Sequence, residues 1–226
     1  MKKQIVLLTA AVAVGFGSLK AQSLDDLSVT STFAWESEYV FRGVKFAQNA
    51  FQPGLDIELG DLYVGTWGSF ATNDSYADGN EINFFGGYGI ALDDVFSLDL
   101  GVTVYYFPPS DDNTTEIYAG IAADTVASPS AYIFYDFDLE ALTIEGSIGH
   151  SIPLDQSLSL DLGAFAGFVT PDEGDDYFYY GLTADVALEV NDTSSASVGV
   201  RFAGNDIDDA DLSEFLWWGF SFSTGF

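Results

Sequence analysis

The sequence predicts an all-β fold, a transmembrane antiparallel up-and-down β-barrel of about twelve strands. Three observations support this prediction: segments that alternate between apolar and polar side chains, connections sorted by length, and charge confined to one face. The C-terminal segment shows the alternation clearly, because Trp218, Phe220, Phe222 and Phe226 share one parity and small residues stand between them. This pattern indicates a strand with one face toward lipid or a core. The aromatic residues at its end favour lipid, since such side chains concentrate at the membrane–water interface.

Twelve alternating segments follow Leu24, and turn signals separate them. They cover approximately residues 28–36, 50–59, 62–72, 81–92, 96–107, 115–123, 130–138, 142–152, 157–169, 177–190, 195–203 and 213–226. Beyond residue 21 we find no apolar run of the roughly 18 residues that a helical membrane span requires. The chain is therefore expected to cross a membrane with strands.

The predicted connections also alternate in length. Those after the second, fourth, sixth, eighth and tenth segments are short, and most of the others are longer. The first, Ser37–Asn49, is the longest, and only the seventh, near Leu139–Ala141, breaks the alternation. Short periplasmic turns and longer outer loops are typical of outer-membrane barrels. The alternative, a soluble β-sandwich, has no reason to sort its connections in this way.

Charged residues keep to one face of each predicted strand. They hold odd positions in the fourth, fifth and eighth to eleventh segments, and even positions in the first, second, sixth and seventh. Because a basic side chain facing the lipid midplane costs about 2–4 kcal/mol, the charged face is expected to line a lumen. The predicted pore-lining residues are Arg42, Asp56, Glu58, Asp99, Glu116, Asp136, Glu145, Asp161, Asp185, Glu189 and Arg201, together with the aromatic residues Tyr63, Trp67 and Tyr105.

The N-terminus predicts export. Lys2 and Lys3 precede an apolar run and small residues, which indicates a signal peptide over residues 1–21 and a barrel over residues 22–226. The mature chain would hold three of the six basic residues against 35 acidic ones. This charge excludes nucleic acid and anionic membrane surfaces as partners. We expect a location in the bacterial outer membrane, with outer-membrane lipid around the barrel.

A family resemblance rests on several motifs. Ser37-Glu-Tyr-Val-Phe-Arg-Gly43 resembles the S-x-Y-V-F-R-G signature near the N-terminus of the TorF family of bacterial outer-membrane porins. Further matches follow in order at residues 52–56, 62–69, 81–88, 105–108 and 116–120, so the resemblance covers roughly residues 30–125. The second half matches mainly in strand rhythm. The resemblance implies an outer-membrane barrel and a pore, but it brings no substrate and no functional residues. The scarcity of Lys and the acidic loops depart from the family pattern.

The predicted function is that of a narrow passive channel for small polar solutes. An excess of lumen carboxylates favours cations or neutral molecules over anions. Twelve strands give a lumen between the filled eight-stranded barrel and the open sixteen-stranded porin. The alternative is a non-conducting structural or surface-interaction barrel. The two differ in whether the first connection, Ser37–Asn49, folds into the lumen, which the sequence leaves open.

Some lumen residues can be assigned either a functional or a structural role. Arg42 either forms part of a constriction with lumen carboxylates or makes a structural ion pair that holds the first connection. Arg201 is more simply explained by an ion pair. The inward aromatic residues either form a slide for sugars or nucleosides or fill space opposite glycines such as Gly65, Gly101 and Gly181.

The sequence does not favour an enzyme. His150, the single histidine, is predicted to face outward, whereas its neighbour Ser151 faces inward, so the two are not positioned as a nucleophile and base. No phosphate-binding loop, zinc-ligand spacing or nucleophile elbow is present, so we predict no catalytic residue, cofactor or resident metal. The acidic loops at residues 172–176 and 206–211 allow weak divalent-cation binding, but a solvated acidic rim is the favoured interpretation.

Overall fold

The computed structural model describes residues 27–73, 79–207 and 214–226. Twelve antiparallel strands form one closed barrel, in which each strand pairs with its sequence neighbours and β12 pairs with β1. The strands are β1 (Leu27–Phe41), β2 (Val44–Leu59), β3 (Leu62–Ala71), β4 (Glu81–Ala91), β5 (Phe96–Phe107), β6 (Asp112–Ala123), β7 (Ser130–Asp136), β8 (Ala141–Pro153), β9 (Leu158–Thr170), β10 (Tyr177–Asn191), β11 (Ser194–Asn205) and β12 (Glu214–Gly225). The predicted up-and-down barrel of twelve strands is confirmed. The predicted signal peptide lies outside the described residues.

The outer surface of the barrel is apolar where β1 meets β12. Phe33 pairs with Phe222 and Trp35 with Phe220 across this seam. Trp218 adds to the same cluster, with its ring centroid 4.9 Å from that of Trp35. Because the seam closes the sheet, none of the twelve described strands has an unpaired edge. Among the described residues, no helix has the length and apolar character needed to cross a membrane.

On the inner surface, aromatic rings lie over glycines of the adjacent strand. The ring of Tyr132 on β7 covers Gly120 on β6, so closely that a Cβ atom at Gly120 would collide with it. The same relation joins Phe85 to Gly65, Tyr118 to Gly101, Tyr63 to Gly87, Phe165 to Gly181 and Tyr179 to Gly167. These glycines leave room for rings that fill part of the lumen, and this agrees with the space-filling interpretation of the inward aromatic residues.

We expect Gly120→Ala to lower the free energy of unfolding by about 1–3 kcal/mol, because the added methyl group displaces the Tyr132 ring from a packed site. Gly146→Ala is the matched control, since a Cβ atom there meets only the Ser130 carbonyl oxygen, at 3.8 Å. That control should be neutral or slightly stabilising, because alanine loses less backbone entropy than glycine in a strand. Guanidinium unfolding of the barrels in phospholipid vesicles measures both values. Equal effects would show that the ring over Gly120 is not tightly packed.

The first connection is not a long loop. The prediction that Ser37–Asn49 forms one is wrong, because β1 continues to Phe41 and β2 begins at Val44. Only Arg42 and Gly43 make the turn, and both have positive φ values, 48° and 75°. Two successive positive φ values are typical of the tight hairpin turn that matches the twist of paired strands. The sequence Arg-Gly supplies a glycine at the second of these positions.

Elsewhere the predicted boundaries agree with the observed ones to within three residues. The sorting of connections by length is weaker than predicted, because the first connection and the fifth, residues 108–111, are both short. Both lie at the end opposite the chain termini, here called the mouth, where nine residues separate β3 from β4 and eight residues separate β11 from β12 in sequence. The seventh connection, residues 137–140, is short as predicted. The short turn has a local cause, because the Asp136 carboxylate accepts hydrogen bonds from the backbone N–H groups of Asp138 and Leu139, both at 2.9 Å.

A similar turn closes β4 onto β5 at the end where the chain termini lie. Asp93 Oδ1 accepts hydrogen bonds from the backbone N–H groups of Phe96 and Val95, at 2.7 and 2.8 Å. These two donors favour the ionised carboxylate and lower the pKa of Asp93. In both turns an Asp carboxylate accepts hydrogen bonds from backbone N–H groups of the turn. This role favours acidic residues in the connections between strands.

Candidate functional site: an acidic lumen covered by an inner hairpin

The end of the first hairpin, residues 37–49, lies across the lumen near the mouth, and we call it the inner hairpin. Its turn residue Arg42 binds Glu116 on β6, with Nη1–Oε2 and Nη2–Oε1 distances of 2.8 and 3.0 Å. On the other side, Asn205 on β11 donates a hydrogen bond from Nδ2 to the Gly43 carbonyl oxygen, at 2.6 Å. Because β6 and β11 are five strands apart in the ring of twelve, the turn must cross the interior to reach both.

A bulge and a buried face direct the hairpin inward. The pairing of β1 with β2 shifts register between Tyr39 and Val40, and Asn49 on β2 has a positive φ of 55°. Such irregularities bend a strand pair and increase its twist. The bend buries Tyr39, Ala47 and Ala50. Small residues at Ala47 and Ala50 therefore allow the hairpin to lie close to the wall.

Polar contacts from the wall hold the inner hairpin. The Tyr39 hydroxyl donates to Glu81 Oε2 on β4, at 3.0 Å. The Tyr105 hydroxyl on β5 donates to Glu116 Oε1, at 2.9 Å, and so orients the carboxylate that Arg42 binds. These contacts, with those to β6 and β11, connect the hairpin to well-separated parts of the wall.

The Arg42 guanidinium is also enclosed by aromatic rings. Its carbon lies 4.7 Å from the centroid of the Phe41 ring and 4.8 Å from that of Phe134 on β7. A planar guanidinium that stacks on rings and binds a carboxylate through two parallel hydrogen bonds has little freedom to move. Arg42 is therefore a fixed positive charge near the centre of the mouth.

Beneath the inner hairpin lies a cavity of about 250 Å³. Hairpin residues Glu38 to Phe41 border it on one side, and the walls of β1 to β7 and of β11 and β12 border the rest. Five carboxylates line it, those of Glu36, Glu38, Asp56, Asp99 and Glu116, whereas Arg201 is the basic residue among its described lining. Acidic residues therefore outnumber basic ones in the described lining of the cavity.

Arg201 is neutralised by two carboxylates of the wall. Its Nη2 atom lies 2.9 Å from Asp185 Oδ1 on β10 and 3.3 Å from Glu36 Oε1 on β1. Gly219 on β12 gives Glu36 the space to reach it, since a Cβ atom at Gly219 would collide with that carboxylate. Arg201 thus joins strands on both sides of the seam.

A second cluster surrounds Asp99 on β5. The Tyr63 hydroxyl donates to Asp99 Oδ1 at 2.7 Å, and the Tyr132 hydroxyl donates to Oδ2 at 3.2 Å. Tyr118 lies 2.6 Å from the Tyr63 hydroxyl oxygen. Because the single Tyr63 proton goes to Asp99, Tyr118 is the donor in that second bond. The cluster holds one buried carboxylate with three phenols.

The other predicted lining residues differ in their surroundings. Glu145 accepts a hydrogen bond from the Tyr179 hydroxyl, and Asp161 accepts one from Ser151, both at 2.6 Å. Asp136 lies near the mouth, where it accepts hydrogen bonds in the turn after β7. Glu189 is exposed on β10, near the end of the barrel where the chain termini lie. Asp56, Trp67 and Tyr105 border the cavity, and Glu58 lies half-buried below Asp56 on the same face of β2.

Sequence reasoning did not select four residues that the fold brings to this region: Tyr39, Gln52, Glu81 and Asn83. Gln52 shares the parity of Asp56 on β2, and Asn83 shares that of Glu81 on β4. Parity alone therefore places both amides on the inner face. The role of Tyr39 depends on the inward bend of the hairpin, for which the sequence pattern carries no signal.

The residues weighed for catalysis do not form a pair. The His150 Nδ1 atom lies 2.7 Å from the Val126 carbonyl oxygen, whereas Ser151 binds Asp161 on the opposite face. Within the described ranges, no group of three or more His, Cys, Asp or Glu side chains could hold a metal ion. The loop at residues 172–176 is exposed, and most of the loop at residues 206–211 lies outside the described residues.

A closed antiparallel barrel with a charged lumen is the fold of bacterial outer-membrane porins. The barrel superposes on the KdgM porin with a TM-score of 0.58 and 11% identity over 88% of this chain and 99% of that chain. The COG4313 outer membrane channel from Pseudomonas putida F1 gives a TM-score of 0.56 and 10% identity, over 98% of this chain and 100% of that one. The NanC porin gives a TM-score of 0.55 and 10% identity, over 88% and 98% of the two chains. The predicted transmembrane β-barrel class is confirmed.

The chain belongs to the family described as bacterial protein of unknown function (Gcw_chp), whose model matches residues 20–223. No curated protein matches the chain in sequence. The family match spans all twelve strands but the last residues of β12.

Proposed function

We propose that this protein is an outer-membrane porin of the TorF kind, a narrow passive channel for small polar solutes that favours cations and neutral molecules over anions. It acts without catalysis, lies in the bacterial outer membrane, contacts lipid with its apolar face, and reaches that membrane through its signal peptide. The similarity to porin folds supports this proposal. The KdgM porin has also been solved in complex with disordered oligogalacturonate, an anionic ligand that carboxylates in the lumen of this chain would repel.

The observation that carries the proposal is the charge balance of the lumen. Each of the three basic residues of the barrel makes an ion pair: Arg42 with Glu116, Lys45 with Glu38, and Arg201 with Asp185 and Glu36. The cavity lining also contains Asp56 and Asp99, which have no basic partner among these pairs. Carboxylates along a pore lower the energy of a passing cation and raise that of an anion.

The second candidate function is a non-conducting barrel with a structural or surface-interaction role. The inner hairpin favours it, because the Arg42–Glu116 and Gly43–Asn205 contacts place chain across the mouth. The cavity beneath the hairpin favours the channel, since it provides room inside the barrel. Conduction separates the two functions.

The test is the single-channel conductance of the refolded barrel in a planar bilayer, with a salt gradient to obtain the reversal potential. We expect a small conductance with cation preference. Asp56→Asn combined with Asp99→Asn should reduce that preference, because asparagine keeps the size and an acceptor oxygen but removes the charge. Asp172→Asn with Asp175→Asn is the matched control, since both residues lie in an exposed loop. Anion preference would overturn the selectivity, and silence from folded barrels would favour the non-conducting function.

A further inference from the structure

We propose that the cavity beneath the inner hairpin binds small organic cations that carry several N–H donors, such as primary diamines. This inference deepens the proposed function, since it names a class of solute for the same lumen. It rests on the polar atoms, rings and charges that line the cavity.

In the described part of the chain, two buried amide oxygens of the cavity wall have no donor, in addition to Glu36 Oε2. Gln52 is 2% exposed, and its Nε2 atom donates to Ser69 Oγ at 3.3 Å. Its Oε1 atom and the Oδ1 atom of Asn83, which is 9% exposed, have no hydrogen-bond partner among the described residues. Burying an acceptor without a donor is unfavourable, so a ligand that donates hydrogen bonds to these oxygens removes that cost.

The strand register places these acceptors on either side of an aromatic ring. Trp67 on β3 pairs with Gly54 on β2 and with Asn83 on β4. Gln52 lies two residues from Gly54 on the same face of β2. Gly54 has no side chain to cover the indole, and a Cβ atom there would be 3.8 Å from Trp67 Cδ1. The result is an indole bordered by two amide oxygens in the cavity wall.

Charge selects a cation for this wall. Asp56, Asp99 and Glu36 line the same cavity. The charge of Arg201 is balanced by Glu36 and Asp185 through Nη2, whereas its Nε and Nη1 atoms are buried without a partner among the described residues. The rings of Trp67, Phe85 and Tyr132 also face the cavity, and aromatic faces attract cations. A positive ligand therefore gains from both the carboxylates and the rings.

Hydrogen-bond chemistry then separates amines from neutral polyols. An ammonium group carries three donors and no acceptor, whereas each hydroxyl brings acceptor lone pairs as well as one donor. A wall rich in acceptors can pair with every donor of an ammonium group, but it leaves the lone pairs of a hydroxyl group without a donor. The cavity volume of about 250 Å³ lies below the range of about 300–1,000 Å³ that suits drug-sized ligands, so the ligand is small.

The test is a titration of the refolded full-length barrel in detergent micelles with 1,4-diaminobutane, followed by tryptophan fluorescence and calorimetry. Trp67 and Trp217 line the cavity and report occupancy without conduction. We expect saturable binding of one molecule per barrel, and binding of 1,4-butanediol or succinate weaker by at least about tenfold. An equal response to the diamine and the diol, or no saturable binding, would overturn the proposal.

Variants locate the site. Gln52→Leu and Asn83→Leu should each weaken diamine binding by about tenfold, because each removes an acceptor while keeping most of the volume. Gln156→Leu, at an exposed position in the turn between β8 and β9, is the matched control and should bind normally. If a leucine variant fails to fold, Gln52→Glu remains as a test, since the added charge should tighten binding. Unchanged binding in the folded variants would overturn the assignment to this wall.

The outcome separates this inference from the channel itself. Diamine binding by a barrel that does not conduct keeps the site and overturns the channel. Conduction by a barrel that does not bind the diamine keeps the channel and overturns the site.

Discussion

Replacing Arg42 with glutamine is expected to raise the single-channel conductance several-fold, because it releases the inner hairpin from the far wall. Arg42 binds both oxygens of Glu116 and stacks between Phe41 and Phe134. It also holds a positive φ of 48°, which a non-glycine residue adopts only when its contacts compensate. Without those contacts the turn loses its main attachment to β6.

The same substitution is expected to destabilise the barrel. The Glu116 side chain is 2% exposed, and removal of one partner from a buried ion pair costs about 3–5 kcal/mol. The Arg42 side chain is 14% exposed, so the lower end of that range applies. Guanidinium unfolding in vesicles measures this loss. Arg42→Lys keeps the charge but not the paired hydrogen bonds, and it should recover only part of the stability.

A double-mutant cycle with Glu116→Gln separates attachment from charge. If the ion pair holds the hairpin, Arg42→Gln and Glu116→Gln each raise the conductance, and the double variant adds little beyond either one. If the two residues act only through their charge, the reversal potential shifts in opposite directions and the conductance does not rise in both. The second result would contradict the role of the pair as an attachment.

The second large effect is expected at the other turn residue. Gly43→Ala should displace the turn and raise the conductance, because a Cβ atom there lies 2.8 Å from both the Gly204 carbonyl oxygen and Tyr179 Cβ. The substitution adds overpacking of about 1–3 kcal/mol to the backbone cost of a positive φ, also about 1–3 kcal/mol. Planar-bilayer recording and vesicle unfolding measure the two consequences.

Gly174→Ala is the matched control for this prediction. Gly174 also has a positive φ, 109°, but a Cβ atom there meets only Pro171 Cγ, at 3.8 Å. Its substitution carries a backbone cost without overpacking, and it lies in an exposed loop of the mouth. We expect Gly174→Ala to leave the conductance unchanged. A rise in conductance in both variants would show that backbone strain near the mouth, and not the position of the hairpin turn at Gly43, determines the conductance.

The strands were predictable because each one carries its own pattern. The even-numbered apolar residues of β5 and β9 face lipid, whereas Asp99 and Asp161, at odd positions of the same strands, face inward. This alternation follows directly from the two-residue period of a strand and from the cost of charge in lipid. The pairing order then follows with little freedom, since consecutive strands joined by short turns are neighbours.

The first connection was not predictable by the same reasoning. Residues 37–49 contain charged and apolar side chains on both parities, because both faces of the inner hairpin lie inside the barrel. One face contacts the wall at Trp67, and the turn reaches Glu116. Two-residue alternation arises where the two faces of a strand have different surroundings, so the pattern ends where the hairpin leaves the wall and both faces lie in the interior.

Some features of the candidate site were predictable from strand alternation, and others were not. Parity by itself identified Asp56, Asp99, Glu116 and Arg201 as inward residues, because facing is a property of each strand. Which of them meet depends on strand tilt, on closure of the barrel and on the bend at Tyr39, which are long-range properties. The sequence thus determined the strand number, the facing of the charged residues and their excess of negative charge. Only the tertiary structure decided that Arg42 crosses the lumen to Glu116 and that a cavity lies beneath it, since these contacts join residues distant in sequence.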